Sequence, residues 1–282
     1  MELAYLNGWL GSLEEAVVSV NDRGYNFGDG IYEVVRAYGG VMFALEEHLE
    51  RLALSAAAVE IDMPWGRAEL QEITAGVLAE SGIKEASVYI QVTRGTAPRD
   101  HLSGADMKPN LLVTVRHISE INTALYREGI RAITMPEFRW QLCHIKSISL
   151  QANVLAKRRA SRAGAAEAFF VLPEGTVTEG ASSNIFIVKD SVLMTHPAGS
   201  RILAGVMRHF ILRVAESCGV RVLVQPFDLS SLLGAEEVFV TGTVAEIVPV
   251  VNVDGKIIGN GKPGPVTSCL HKGYAALRMH GG

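Results

Sequence analysis

Cysteine is scarce: Cys143, Cys218 and Cys269 are the only three in 282 residues. They are odd in number, far apart along the chain and include no CxxC pair. Neither a disulfide framework nor a zinc cluster is expected, and free thiols fit a reducing cytosol. Long apolar runs are missing too, since no stretch approaches eighteen residues, and Met1–Ala4 shows no basic segment leading into an apolar one. A membrane span and a signal peptide are therefore not expected, and the cytoplasm is the expected compartment. There is no acidic or basic tail, charges of both signs are interspersed, and the formal net charge is -4. That balance argues against a nucleic-acid or anionic-membrane surface. The eight histidines show no HExxH or comparable spacing, so no metal site is expected, and no G-x-S-x-G elbow supports a hydrolase triad.

What is present suits a packed globular protein: 48% hydrophobic and 20% charged residues, in a length that fits one large domain or two ordinary ones. Asn7-Gly8 between short apolar runs predicts a two-residue hairpin, and Asp254-Gly255 predicts another. Leu45, Leu49, Leu52, Ala56 and Val59 recur at helical spacing, as do Leu70, Ile73, Val77 and Leu78. Val88, Ile90 and Val92 alternate on one face of a strand, and Leu111–Val115 is more continuously apolar. The first half reads as helices on a mostly antiparallel sheet. The polar stretch from Ile118 to Glu128 is the boundary candidate. Beyond it lie apolar runs at Ile130–Met135, Ala168–Leu172, Ile185–Val188, Val222–Val224, Val238–Val240 and Ile247–Val251, with helical spacing at Val206, Phe210, Val214 and Cys218. The expectation is an α/β (α+β) protein with a small N-terminal α/β domain, 1–118, and a larger barrel-like α/β domain, 119–282. With no repeat or low-complexity linker, a cleft between the halves is the expected ligand site.

Gly259, Gly261 and Gly264 spell G-x-G-x-x-G, but they follow a hairpin, include Pro263 and lie near the chain end. A loop is expected there, not a dinucleotide site. Lys146 lies in the otherwise uncharged Cys143–Leu150, about to become a helix. Such a lysine is either a desolvated amine competent for a Schiff base or one whose stem merely covers apolar surface. Glu179 sits among the small polar residues of Thr178–Asn184, either in a capped polar turn or as a carboxylate facing a cofactor. The helix opening at Leu203–Met207 and the strand ending at Val240–Thr243 present backbone N–H groups that suit a phosphate. Arg51 would add a bidentate charge there, or pair with Glu47 one helical turn away. His48, beside Glu47 and Glu50, reads as a solvated residue or one supporting a site, not as a metal ligand.

In order along the chain, Asn21–Glu33, Glu47–Leu52, Ile145-Lys146-Ser147, Thr178–Asn184 and Phe239–Val250 resemble the fold-type IV, branched-chain-aminotransferase-like enzymes of pyridoxal 5'-phosphate. The match runs nearly end to end. It implies two α/β domains with the cofactor between them, and homodimers whose active sites borrow a loop from the partner. Within that family the loop Val92–His101 resembles the D-amino-acid aminotransferases. There an Arg-x-His pair, here Arg99 and His101, binds the substrate α-carboxylate across the dimer, assisted by Tyr32.

The resemblance implies that Lys146 forms the Schiff base and shuttles the substrate proton. It implies that Glu179 pairs with the pyridine nitrogen, and that Leu203 packs on the ring. Arg51, Gly205, Val206, Met207, Gly242 and Thr243 would hold the phosphate, with Ser183 also among the cofactor-binding residues. The expected reaction is ping-pong transamination of a D-amino acid, such as D-alanine or D-glutamate, with a 2-oxo acid. The alternatives are a branched-chain L-amino-acid or (R)-amine transaminase, or a 4-amino-4-deoxychorismate lyase, on the same scaffold. His144 departs from the acidic residue expected before Ile-Lys-Ser. Met207 and Gly242 stand where hydroxyls often reach the phosphate, so somewhat looser cofactor retention is expected.

Overall fold

The computed structural model describes residues 1–102, 104, 107–118 and 123–279. The chain divides into two compact units, one of Met1–Glu120 with Ile145–Ser149 and one of Ile121–His144 with Leu150–His280. The boundary expected at 118/119 falls against residues 119–122, which lie outside the described residues, as do 280–282. The segment bearing Lys146 packs with the first unit although it follows part of the second in sequence. Both units are α/β in class.

Among its described residues the first unit holds β1 (Leu3–Leu6), β2 (Trp9–Ser12), β3 (Gly30–Tyr38), β4 (Val41–Met42), β5 (Ala86–Thr93) and β6 (Asn110–His117), with helices α1 (Arg23–Phe27), α2 (Leu45–Ala58) and α3 (Arg67–Ser81). The strands make one antiparallel sheet in the order β2-β1-β6-β5-β3-β4. The Asn7-Gly8 hairpin forms as its sequence requires, with φ of 50° and 95° at the two turn residues. Val88, Ile90 and Val92 of β5 are buried, and so are Ile31, Val35 and Ala37 of β3. Leu49, Leu52 and Ala56 of α2 and Leu70, Val77 and Leu78 of α3 close over them. Each large side chain buried there contributes about 1.5–3 kcal/mol. The alternation has one interruption: Glu33 occupies an inward position of β3 and is fully buried.

The Asn21–Glu33 motif has a structural basis. Asp22 caps α1, its Oδ1 accepting from the N–H groups of Gly24 (2.7 Å) and Tyr25 (3.4 Å). Its Oδ2 accepts from Thr93 and Asn110 at 2.8 and 2.6 Å, tying the cap to β5 and β6. Gly28 ends the helix at φ 68°, and a Cβ there would stand 2.5 Å from Ser149 Oγ.

The second unit holds, among its described residues, β7 (Ile130–Pro136), β8 (Glu167–Val171), β9 (Thr176–Gly180), β10 (Asn184–Lys189), β11 (Val192–Thr195), β12 (Arg221–Val224), β13 (Phe227–Asp228), β14 (Glu237–Gly242), β15 (Glu246–Val253) and β16 (Lys256–Ile257). Its helices are α4 (Thr123–Glu128), α5 (Gln151–Arg162), α6 (Val206–Ser217), α7 (Leu229–Leu233) and α8 (Pro265–Met279). The sheet runs β12-β11-β10-β14-β15-β7-β8-β9-β13, with β16 paired to β15. It is mixed: β11/β12, β15/β7 and β7/β8 are parallel. α5 supplies the crossover between the parallel β7 and β8, which no hairpin could make.

The glycines Gly259, Gly261 and Gly264 form the loop expected, but α8 follows at once, a helix the apolar pattern of the tail had not suggested. Its N-terminus is closed to a phosphate by a carboxylate of the protein. Glu237 on β14 accepts from the N–H groups of Val266 (2.9 Å) and Thr267 (2.8 Å) and from the Thr267 hydroxyl (2.6 Å). The dinucleotide reading therefore fails on chemistry as well as on context.

Candidate active site

Lys146 does not enter the helix that follows it. Its segment runs antiparallel to β3 through a bridge between Ile31 and Ser147, with the Tyr32 N–H donating to the Lys146 carbonyl at 2.9 Å. The Lys146 N–H in turn donates to Ser55 Oγ of α2 at 3.2 Å. Both backbone polar groups are thus fixed, and the half-buried side chain lies with Nζ 4.4 Å from the centroid of the Tyr32 ring. A cation over a phenol face is an attractive geometry. Tyr32 itself stacks on Tyr89 at 5.6 Å between centroids. The structure brings Lys146 and Tyr32 together.

Arg51 reaches across from α2 to β3. It forks onto Glu33, with Nε to Oε1 at 2.7 Å and Nη2 to Oε2 at 2.9 Å. His48 Nδ1 meets the same carboxylate at 2.7 Å. His48 is buried, which corrects the expectation that it could be solvated. Burial acts to raise the Glu33 pKa, but Arg51 and His48 outweigh it and hold the carboxyl at about 2. Burial likewise keeps His48 below its ordinary value, against the pull of Glu33. The result is a preorganised guanidinium whose fork is fixed from behind by an ionised carboxylate.

Arg99 and His101 are exposed and meet α1. The Arg99 guanidinium lies 5.0 Å from the Phe27 ring centroid, and the His101 ring 5.4 Å from it. Arg23, buried and paired with Asp29 at 2.8 Å, donates to the carbonyls of Asp100 (2.6 Å) and His101 (3.1 Å). The loop is therefore held by its backbone, leaving both side chains at the surface.

In the second unit Glu179, on β9, is buried and hydrogen-bonded through both oxygens. Its Oε1 accepts from Arg139 at 2.5 Å, and its Oε2 from the Leu203 N–H at 3.0 Å and from Asn184 at 3.2 Å. Arg139 divides itself, since Glu137 takes Nε at 2.9 Å and Nη2 at 2.6 Å, and the guanidinium lies 4.2 Å from the Phe170 ring centroid. Among the described residues one buried cation thus serves two carboxylates, so that with both ionised one formal negative charge is left uncompensated. That charge falls on Glu179, which burial pushes up to about 7 despite Arg139. Burial also opposes the charge on Glu137, but Arg139 and Thr178 hold its pKa below the ordinary value. A cationic N–H placed against Glu179 would complete the balance.

α6 offers the opposite chemistry. Its N-cap is Gly205, no side chain caps it, and no acidic residue lies in its first turn. The first N–H groups, from Val206 onward, are therefore available to an anion, and the helix dipole favours one. α6 packs on β14, where Thr241 carries a buried hydroxyl oxygen with no hydrogen-bond partner among the described residues. Gly242 follows, where an added Cβ would meet only the Ser182 carbonyl, 3.5 Å away. Thr243 begins the turn to β15. Ser183, in contrast, donates to Glu167 at 2.9 Å, alongside Ser182 at 3.0 Å.

Sequence reading missed Ser55, Glu137 and Arg139 as members of these networks, and Glu33 as the partner of Arg51. Glu33 and Arg139 left a signal: a carboxylate in phase with the apolar positions of a strand, and an arginine two residues from a glutamate at a strand end.

Residues 30–253 match the family described as Amino-transferase class IV. The D-alanine aminotransferase of Bacillus licheniformis is 41% identical over 261 residues, covering 93% of this chain and 92% of the relative. That of Staphylococcus haemolyticus is 40% identical over 275 residues, covering 97% of each. A solved T.th. branched-chain amino acid aminotransferase with pyridoxamine 5'-phosphate has a TM-score of 0.92 at 29% identity, covering 97% of this chain and 92% of that one.

Proposed function

From the premise that this chain belongs to the class IV aminotransferases, enzymes of pyridoxal phosphate, we propose that it moves the amino group of D-amino acids, D-alanine among them, to 2-oxo acids, with Lys146 bearing the cofactor. When bound, pyridoxal phosphate supplies an electron sink that makes the α-proton of an amino acid labile. The protein supplies the rest. Glu179 holds a proton at the pyridine nitrogen, where a cation is what its surroundings lack. The N–H groups of Val206 and Met207, with Gly205, Gly242 and Thr243, bind the phosphate, and Arg51 adds its fixed guanidinium. Leu203 lines the ring and Ser183 stands among the cofactor-binding residues. The Lys146 amine, freed once substrate is bound, moves the proton at the substrate Cα. Tyr32, Arg99 and His101 bind the α-carboxylate, a planar group that a guanidinium fork matches.

The observation that carries this reading is the uncompensated negative charge of the Glu137–Arg139–Glu179 trio, buried and awaiting a cationic partner. The D-alanine aminotransferases at 40–41% identity support the substrate class. We further propose a homodimer with shared active sites, to which the exposed Arg99 and His101 lend themselves, and a cytoplasmic location, which the scarcity of cysteine supports.

The test is a panel of both enantiomers with 2-oxoglutarate. D-alanine should yield pyruvate and glutamate, and Lys146→Ala should abolish turnover while the far-UV spectrum stays unchanged. Turnover of L-leucine or (R)-1-phenylethylamine with D-alanine inert would overturn the substrate class and leave the family intact.

A further inference from the structure

Composition pointed to free thiols and all three cysteines are free, but two of them are neighbours in space. Cys218 is the C-cap residue of α6, and Cys269 lies in the second turn of α8. Though 51 residues apart, their sulfurs approach to 2.7 Å. An S–S bond is about 2.05 Å long, so the pair stands only about 0.7 Å from bonding distance. The approach is built in. Gly273, one turn beyond Cys269, brings α8 against α6 so closely that a Cβ there would stand 2.5 Å from Val214 and 3.7 Å from Cys218 Sγ. Leu270 and Tyr274 of α8, and Phe210 and Val214 of α6, are buried. The two helices are therefore packed in place rather than brought together by chance.

The two thiols differ in access. Cys269 is exposed and Cys218 half-buried, whereas Cys143 is buried in another part of the unit. Burial, reinforced by Cys269, pushes the Cys218 thiol up to about 11, so it keeps its proton at neutral pH. Cys269 is thus the sulfur that meets an oxidant from solution, and Cys218 the one waiting behind it.

We propose that Cys218 and Cys269 form a reversible redox clamp, closing to a disulfide between α6 and α8 when the protein meets a peroxide. The exposed Cys269 thiolate attacks one peroxide oxygen, forming a sulfenic acid as the O–O bond breaks and releases water after protonation. The Cys218 sulfur then attacks the sulfenyl sulfur, forming the S–S bond and expelling a second water. Two thiols are oxidised and one peroxide is reduced to two waters. A dithiol reductant reverses the step. In a reducing compartment the open form is the resting one. Closure fixes the C-terminal end of α6, the helix whose other end presents the uncapped N–H groups.

The test uses the purified holoenzyme treated with a few equivalents of hydrogen peroxide, then blocked and digested without reduction. A linked peptide pair containing Cys218 and Cys269, lighter by about 2 Da than its two parts, is expected. Titratable thiols should fall from three to one. The clamped protein should melt roughly 5–10 °C higher and return on adding dithiothreitol. Cys218→Ser should retain two thiols before treatment and show no rise in melting temperature. The proposal is overturned if Cys269 accumulates as sulfinic acid without the linked pair, or if all three thiols survive peroxide.

Discussion

Arg139 is the residue whose replacement most directly probes the chemistry assigned to Glu179. With the guanidinium in place, Glu179 stands at about 7 instead of 4.5, a difference equivalent to about 3 kcal/mol. Because this is an acid whose folded pKa is raised, its stability contribution is complete below 4.5 and is lost as pH rises through about 7. The apoprotein should therefore lose about 3 kcal/mol from this group between those limits. Bound cofactor should recover it by bringing a cation. Affinity for pyridoxal phosphate should follow the ionised carboxylate, strong above pH 7 and falling below it. Removing an opposite charge at 2.5 Å raises a carboxyl by a further one to three pKa values. In Arg139→Met the midpoint of cofactor affinity should then move to pH 8 or above, and binding at pH 7.5 should weaken by roughly threefold for a shift of one pKa value to about two-hundredfold for a shift of three. The assay is tryptophan-fluorescence titration of apoprotein with pyridoxal phosphate from pH 6 to 9. Arg139→Lys, which keeps the charge but not the fork, should recover part of the shift and guards against a folding defect. An unchanged midpoint in Arg139→Met would refute the reasoning, as would an affinity in the parent protein that does not vary across that range.

The remaining expectations are simpler. Glu33→Gln should cost about 3 kcal/mol at pH 7, because a carboxyl held at about 2 contributes its stability above 4.5 and loses it as pH falls toward 2. Urea unfolding should show the gap between parent and variant narrowing to about 1 kcal/mol by pH 3, and a gap of equal size at both pH values would count against the buried Arg51–Glu33–His48 network. Arg99→Ala should raise the KM for D-alanine roughly tenfold to a hundredfold, the worth of a charge-assisted contact, with a smaller change in kcat. Steady-state kinetics decides this, and a loss confined to kcat would remove Arg99 from carboxylate binding.

Legibility in the sequence followed the range of the interaction. The Asn7-Gly8 and Asp254-Gly255 turns, the alternation of β5 and the helical spacing of α2, α3 and α6 are local, and each formed where its residues indicated. Lys146, Glu179 and the opening of α6 stood out as chemistry for the same reason. The partners did not, because they are set by tertiary pairing. Arg51 could have met Glu47 a turn away, but a carboxylate buried on β3 binds it more strongly. Lys146 was expected just before a helix, and α5 does follow, but what holds its segment is β3, more than a hundred residues earlier in the chain. Cys218 and Cys269 are remote in sequence and adjacent in space because two helices cross at a glycine. The motif around Asp22 was readable as a pattern, but its purpose, fixing α1 and through Arg23 the Arg99 loop, required the fold.

Glu237 gives the second unit an internal ruling on where negative charge is welcome. α6 and α8 are of similar length, and each is preceded by a glycine, at 205 and 264. By glycine pattern alone α8, with its G-x-G-x-x-G, is the more persuasive anion cradle. A single carboxylate from β14 reverses that ranking, since it already satisfies the first N–H groups of α8 and would repel any phosphate that approached. Two openings of equal promise are thus sorted into one vacancy and one plug, and the plug is a side chain that no inspection of the glycines would find.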